Sequence, residues 1–157
     1  MNYIIVKGSK SSGKSATVRE VCKRLKPDAI RRVHLGDAGF ATLEYVSTSS
    51  DLPDGTLVLT VRKKSILAVT IAPTEQRKTI TSIMEAVNEL GVAPDFAIIA
   101  MSGLEKVQGY STTVEMQPYG NCIYETKIRR IPSYTFRDTE EWDKRVSYIT
   151  AITLHNI

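Results

Sequence analysis

The sequence predicts a three-layer α/β sandwich with a mainly parallel sheet and one inserted antiparallel hairpin. Three observations support this fold class. The chain opens with an apolar strand, a glycine-rich turn and an amphipathic helix; strand and helix patterns then continue to alternate; and two β-rich runs are joined by only four residues. Alternating strands and helices are typical of a sheet covered by helices on both faces. The length of 157 residues predicts a single domain, residues 1–157.

The first unit is defined by a change of hydrophobic period. Tyr3–Val6 is a short apolar run rich in β-branched residues, which predicts a buried strand. From Lys14 onward the apolar residues recur at the helical spacing i, i+3, i+4, i+7, and Pro27 ends the pattern. The apolar helix face consists of Val18, Val21, Cys22 and Leu25.

The middle of the chain reads as strands separated by turns. Ile30–Leu35 and Ala41–Ser47 are predicted strands, and a turn-rich loop follows at Ser47–Gly55. Thr56–Val61 and Ile66–Ala72 are stronger β-rich runs joined by the residues RKKS. So short a connection predicts an antiparallel hairpin.

The second half continues the alternation. Thr74–Leu90 has helical spacing, and Asp95–Met101 is a continuous apolar run that predicts a fully buried strand. Asn121–Ile128 is a further predicted strand. Asp138, with Glu141 three residues later, resembles a capping box and predicts the start of the last helix.

The residues with the clearest chemistry lie between the first strand and the first helix. Residues 8–15 read GSKSSGKS and fit G-x-x-x-x-G-K-[ST] at every fixed position. Chance places these four residues together in fewer than roughly one in a hundred chains of this length. The glycines let backbone N–H groups point at one anion, the lysine supplies a positive charge, and the serine hydroxyl suits Mg²⁺. The predicted phosphate contacts are Gly8, Ser9, Lys10, Ser11, Ser12, Gly13, Lys14, Ser15 and Ala16.

Through this loop, the Walker A motif, the chain resembles the P-loop NTPase superfamily. The specific match covers about the first 26 residues, and the rest agrees in strand–helix order. The resemblance implies a P-loop NTPase-like fold, Mg²⁺ with ATP or GTP as ligand, and phosphoryl transfer or hydrolysis. GTPases of this superfamily carry an NKxD motif. Since the sequence has no NKxD or TKxD, ATP is the expected nucleotide.

The acid that the family places after a strand, its Walker B residue, is missing from the expected positions. Neither Ile66–Ala72 nor Phe96–Met101 ends in Asp or Glu, and Asp95 stands at the wrong end of its strand. Two acids remain as candidates. Asp37 follows a predicted strand and also suits an ordinary turn; Glu75 also suits the first turn of a helix. The predicted catalytic residues are Lys14, Asp37 and Glu75, and the predicted metal ligands are Ser15 and Asp37.

Other polar and aromatic residues have weaker functional interpretations. The cations at 62–64 and 129–130 suit a lid or finger over the phosphates, but such groups more often form solvated surface. Tyr110 and Tyr119 suit stacking on a base, with ordinary packing as the alternative. His34 is expected to be a structural residue of its strand.

Composition limits the function further. The net charge of +4, from 21 basic and 17 acidic residues, is too small and too scattered to support nucleic-acid binding. Two cysteines argue against a disulfide scaffold and a zinc site. The start of the chain lacks the pattern of a signal peptide, and no run of 18 apolar residues predicts a membrane span. A cytoplasmic location is therefore expected.

Two functions fit these predictions. The first is a small kinase that transfers the γ-phosphate of ATP to a small molecule, with residues 103–137 as a lid or insert. The second is a nucleotide-binding regulatory protein or accessory ATPase with weak hydrolysis, working with a protein partner in a DNA-associated or mobile-element assembly. Both predict ATP binding, and they differ in whether a second small-molecule substrate exists.

Overall fold

The computed structural model describes residues 1–36, 40–49 and 51–157. These ranges form one seven-stranded sheet with helices on both faces. The strands are β1 (Asn2–Gly8), β2 (Ala29–Leu35), β3 (Ala41–Val46), β4 (Thr56–Val61), β5 (Lys64–Val69), β6 (Phe96–Ser102) and β7 (Asn121–Lys127). Their order across the sheet is β3-β2-β4-β5-β6-β1-β7.

The helices are α1 (Lys14–Arg24), α2 (Ile80–Glu89), α3 (Thr112–Met116) and α4 (Glu140–His155), with short 3₁₀ turns at Pro73–Gln76, Gln117–Tyr119 and Phe136–Asp138. No helix in the described ranges is long and apolar enough to cross a membrane.

Two hydrophobic cores lie on opposite faces of the sheet. Because side chains alternate along a strand, Ile4 and Val6 of β1 face one core while Tyr3 and Ile5 face the other. The first core is covered by α1 and α4, which pack against each other, and Trp142 is its largest buried side chain. The second core is covered by α2 and α3. Three layers follow from this two-sided burial.

Four neighbouring strands run parallel to one another. β1 pairs in parallel with β6 and with β7, and β6 pairs in parallel with β5. The carboxyl ends of these strands therefore meet at the same edge of the sheet. In open α/β sheets, ligands bind beyond such carboxyl ends. The segment after β1 is thus placed where a ligand is expected.

The mainly parallel sheet predicted from the sequence, and with it the predicted P-loop NTPase-like sandwich, is wrong. Of the six neighbouring pairs among the described strands, three are antiparallel: β2 with β3, β2 with β4, and β4 with β5. The β4–β5 hairpin was predicted, with its turn found at Arg62 and Lys63. The sequence does not predict the antiparallel pairing of β2 with β3 and β4. A parallel crossover needs a dozen or more residues, and the link from β2 to β3 is too short for one.

Two helix boundaries also differ from the prediction. The predicted helix Thr74–Leu90 is a 3₁₀ turn at Pro73–Gln76 followed by α2, whose N-cap is Thr79. The last helix begins after Thr139, whose hydroxyl accepts a hydrogen bond from the Trp142 N–H. Thr139 therefore caps this helix in place of the predicted Asp138.

Candidate functional site

The loop after β1 folds into a compact turn around its own backbone. The Ser12 N–H and hydroxyl both donate to the Ser9 carbonyl, at 3.1 and 2.7 Å. A Cβ atom on Gly8 would lie 2.3 Å from Ser12 Oγ, so a side chain there would displace this turn. Gly13 has a φ of 88°, a left-handed conformation that glycine adopts without strain. Glycine is therefore needed at the two fixed positions for different reasons: close approach of Ser12 at Gly8, and a left-handed backbone at Gly13.

Helix α1 begins directly after Gly13, so its first turn adjoins the loop. The first intrahelical bond runs from the Thr17 N–H to the Gly13 carbonyl, at 2.8 Å. The amides of the residues before Thr17 belong to the helix start, which lacks intrahelical acceptors and carries the positive end of the helix dipole. No acidic side chain lies in the first turn of α1. The loop therefore offers N–H groups to an anion.

Lys14 is a buried cation held across the mouth of the loop. Its side chain is 3% exposed, and its Nζ donates to the Ser9 carbonyl at 3.2 Å and to Glu75 Oε1 at 2.6 Å. A buried charge is costly unless it is paired, so Glu75 stabilises Lys14 where it stands. Glu75 itself is 29% exposed and reaches the same site from the 3₁₀ turn after β5.

Glu75 also contacts the end of a third strand. The hydroxyl of Ser102, the last residue of β6, donates to Glu75 Oε1 at 3.3 Å, and Thr74 Oγ1 donates to Ser102 Oγ at 3.2 Å. The Gly103 N–H donates to the Gly8 carbonyl at 2.9 Å. The ends of β1, β5 and β6 are therefore linked through Lys14, Glu75 and Ser102.

Asp54 is the acid beside Ser15, and sequence reasoning missed it. Ser15 Oγ donates to Asp54 Oδ1, Arg19 Nε lies 3.2 Å from the same oxygen, and Thr70 Oγ1 donates to it at 3.4 Å. In the family that the loop resembles, this acid stands at the end of a parallel strand. Asp54 instead precedes β4, an antiparallel strand, which begins at the edge where the parallel strands end.

Local hydrogen bonds hold Asp54 at this edge. The Gly55 N–H donates to Thr70 Oγ1 at 2.7 Å, and the Thr70 N–H donates to the Gly55 carbonyl at 2.9 Å. Gly55 has a φ of 128°, which favours glycine and turns the chain into β4. The Asp54-Gly55 pair was interpreted only as a turn. The sequence feature that could have indicated Asp54 is an acid followed by a glycine directly before the first strand of a hairpin.

Of the predicted acids, the structure brings Glu75 to the loop. Asp37, predicted as a metal ligand and as catalytic, lies outside the described residues. Asp95 stands at the start of β6, where its carboxylate accepts from the Ser65 N–H, at the opposite edge of the sheet. Segment 103–137, predicted as a lid or insert, contains α3 and contributes β7 to the sheet.

The weaker candidates are mostly placed away from the loop. The cations at 62–64 lie in the β4–β5 turn, at the edge opposite Gly8. Tyr110 accepts from the Ile80 N–H at 2.8 Å, and Tyr119 packs against the core under α2 and α3. His34 contacts Glu44 of β3, with Nε2 and Oε2 2.5 Å apart. These three side chains are explained by structural contacts.

A cavity of about 260 Å³ flanks the loop on the side of β7 and α4. Its aromatic and apolar lining comes from Ile131, Tyr134, Phe136 and Trp142, and the Phe136 and Trp142 rings meet edge to face with centroids 5.1 Å apart. Its polar lining includes Ser11, Ser12, Gly13, Arg130 and Arg145.

Arg145 is a second cation beside the loop, in addition to Lys14. Its Nη1 lies 3.7 Å from where a Cβ atom on Gly13 would be, and its Nη2 donates to the Arg129 carbonyl at 2.6 Å. Burial lowers the pKa of Arg145, and the nearby Glu141 opposes that shift. Sequence reasoning missed Arg145 because it lies in mid-helix, more than a hundred residues from the motif.

A second cavity of about 400 Å³ lies along α1, where it is lined by residues from Ala16 to Lys23. It carries more cationic than acidic side chains. The lining consists of Ala16, Arg19, Glu20, Lys23, Asp51, Leu52 and Arg137. Three of these side chains are cationic and two are acidic, and Arg19 also pairs with Asp54.

Comparison with known proteins adds no relative to this description: no family model matches the chain, and no curated protein or solved structure does. Among the described residues, no group of three or more His, Cys, Asp or Glu side chains is arranged to hold a metal ion. The case for function therefore depends on the site geometry.

Proposed function

We propose that this protein binds Mg²⁺-ATP through Gly8–Ser15 and transfers its γ-phosphoryl group. One observation carries the proposal: two acids from distant loops meet the last two residues of the motif, Glu75 at Lys14 and Asp54 at Ser15. Phosphoryl transfer depends on positioning and on charge stabilisation more than on covalent chemistry. Positioning and charge stabilisation would both come from the groups at this sheet edge: one cation, one hydroxyl and two carboxylates.

The oxygen atoms around Ser15 fit a magnesium ion. Mg²⁺ prefers oxygen ligands and keeps several waters, so it binds through one or two protein groups and the phosphates. The Ser15 hydroxyl and the Asp54 carboxylate would hold it, with the Thr70 hydroxyl beside them. When bound, the ion would neutralise charge on the phosphates. Asp54 takes the place of the acid that the sequence lacked at a strand end.

Lys14 and Glu75 have complementary roles in this proposal. Lys14 would exchange its contact with Glu75 for a phosphate oxygen, which keeps the buried cation paired. Glu75 would then be released within reach of the nucleophile and accept its proton. The hydroxyl of Ser102, which donates to Glu75 at 3.3 Å, would keep the carboxylate oriented.

The nucleoside is assigned to the aromatic cavity beside Gly13. Its volume of about 260 Å³ and its Phe136–Trp142 wall suit a planar base, and Arg145 suits the phosphates. ATP stays preferred because the sequence lacks NKxD.

The cavity next to Ala16, with Arg19, Lys23 and Arg137, supports an anionic small-molecule acceptor, and hence a kinase, over transfer to water alone. The cytoplasmic location stays a prediction.

Asp54→Asn is expected to lower Mg²⁺-dependent ADP release by about 10-fold or more, because the amide loses the negative charge that holds the ion. ADP release is measured in a coupled assay across a Mg²⁺ titration, with water and with phosphorylated or carboxylated acceptors. The variant should need more Mg²⁺ for half-maximal rate. Asp28→Asn, an exposed acid before β2, is the matched control and should behave as the unchanged protein.

The same assay can contradict the proposal. If ADP release is absent with every acceptor and with water, the transfer step fails. If ADP release proceeds equally in Asp54→Asn at limiting Mg²⁺, the assignment of Asp54 fails. Higher ADP release with an anionic acceptor than with water supports the kinase; equal release supports hydrolysis by the protein as a regulatory or accessory ATPase.

A further inference from the structure

A third cavity, a groove, runs between β7 and α4. Its volume is about 390 Å³. Four cationic side chains and one carboxylate line it, together with two tyrosines. The charged residues are Lys127, Arg129, Lys144, Arg145 and Glu141, and the tyrosines are Tyr124 and Tyr148.

The charge of the groove is concentrated, unlike the charge of the chain as a whole. The chain has a net charge of +4, whereas the groove lining alone has four cations against one acid. Of the neighbouring acids of α4, Glu140 pairs with Lys144 of the groove at 2.9 Å, and Asp143 pairs with Arg24 outside the groove at 3.0 Å. Exposed ion pairs of this kind are weak, so a phosphate can displace Glu140 from Lys144.

The two tyrosines give the groove an aromatic surface. The rings of Tyr124 and Tyr148 meet edge to face, with centroids 5.2 Å apart and an interplanar angle of 70°. Tyr124 packs against the core, which fixes the pair, while Tyr148 is 56% exposed. One ring is therefore anchored, and the other is more than half exposed to solvent. Aromatic faces beside backbone-neutralising cations are the two features of sites that bind unpaired bases.

From this combination we propose that the groove between β7 and α4 binds single-stranded nucleic acid. The cations contact the phosphates, and a base stacks on Tyr148. A duplex is disfavoured because its bases are already stacked and cannot reach the ring. This site shares Arg145 with the cavity beside Gly13, and the other groove residues take no part in the ATP proposal. The charge pattern of the sequence does not indicate nucleic acid, because these cations come from two separate segments that only the fold joins.

The test is fluorescence anisotropy of labelled dT20 and rU20 with the full chain, without nucleotide. Tyr148→Ala is expected to weaken binding by about 10-fold, and Tyr148→Phe to preserve it, since stacking needs the ring alone. The double variant Arg129→Ala with Lys144→Ala is expected to lower the slope of log affinity against log salt by about 1.4, from two lost phosphate contacts. Arg145 is left unchanged because it also lines the cavity beside Gly13.

Lys63→Ala with Lys64→Ala is the matched control, because it removes the same charge from the β4–β5 turn at the opposite edge. Affinity in this control should change less than 3-fold, as expected for charges that touch no phosphate. The proposal is overturned if neither oligonucleotide binds, if the control weakens binding as much as the groove variants, or if Tyr148→Ala has no effect. Polyglutamate binding as tightly as dT20 would instead assign the groove to an acidic protein. Thermal unfolding of each variant verifies its fold.

Discussion

Replacing Lys14 by alanine is expected to weaken ATP binding by about 100-fold while the protein stays folded. The lysine is 3% exposed and is the buried cation at the mouth of the loop. A hydrogen bond between charged groups contributes about 1.5–3 kcal/mol, and each 1.4 kcal/mol is tenfold in affinity. Without Lys14, Glu75 also faces the phosphates as an uncompensated negative charge. Isothermal titration calorimetry with ATP and Mg²⁺ measures the loss.

Lys64→Ala is the matched control for this result. Lys64 is exposed and begins β5, at the far edge of the sheet from the loop, so its removal should leave the affinity unchanged. Thermal unfolding separates lost binding from lost folding, since Glu75 is partly exposed and can be hydrated once unpaired. Undiminished ATP affinity in a folded Lys14→Ala protein would remove the basis of the proposed site.

Glu75→Gln is expected to separate binding from chemistry. The rate of ADP release should fall by about 100-fold or more, which is the usual contribution of a positioned general base. ATP affinity should hold or increase, because the variant removes a carboxylate that competes with phosphate for Lys14 at 2.6 Å. Single-turnover measurement of ADP formation, with the ATP affinity determined in parallel, distinguishes the two effects.

Glu89→Gln, an exposed acid at the end of α2, is the matched control and should leave both quantities unchanged. A Glu75→Gln protein with normal turnover would show that Glu75 only balances the charge of Lys14. A protein that loses ATP affinity together with turnover would instead indicate that Glu75 supports the fold of the loop.

The loop at Gly8–Ser15 and the buried face of α1 could be predicted from the sequence, because residues close together in the chain determine both. The motif at Gly8–Ser15 requires a turn with glycine at φ 88° and a helix that starts at once, and both are present. Helix α1 buries the predicted face at Val18 and Val21. Burial raises the pKa of the Cys22 thiol to about 12, which keeps it neutral within that face. Such features depend on residues within one or two turns of each other.

The sheet topology and the positions of Asp54 and Arg145 depend on how distant segments of the chain meet. No local sequence pattern specifies this. The direction of β2 and β4 decides whether a loop lies at the ligand edge, and it brings Asp54 to Ser15 from 39 residues away. Arg145 reaches Gly13 from the far end of the chain in the same way. β2 runs in the same direction as β5, because both pair antiparallel with β4, so the end of β2 lies at the ligand edge. Asp37 follows that end but lies outside the described residues, and its role stays a prediction.

The central claim is that the loop recognises phosphates, and the most direct measurement is the affinity of the unchanged protein for ATP, ADP and AMP with Mg²⁺. Because Lys14 and Ser15 are assigned to the outer phosphates and to the ion between them, affinity should fall from ATP to ADP and be lost for AMP. The nucleoside is the same in all three ligands, so the order reports the phosphates alone. Equal affinity for the three nucleotides, or no binding of ATP, would contradict the account.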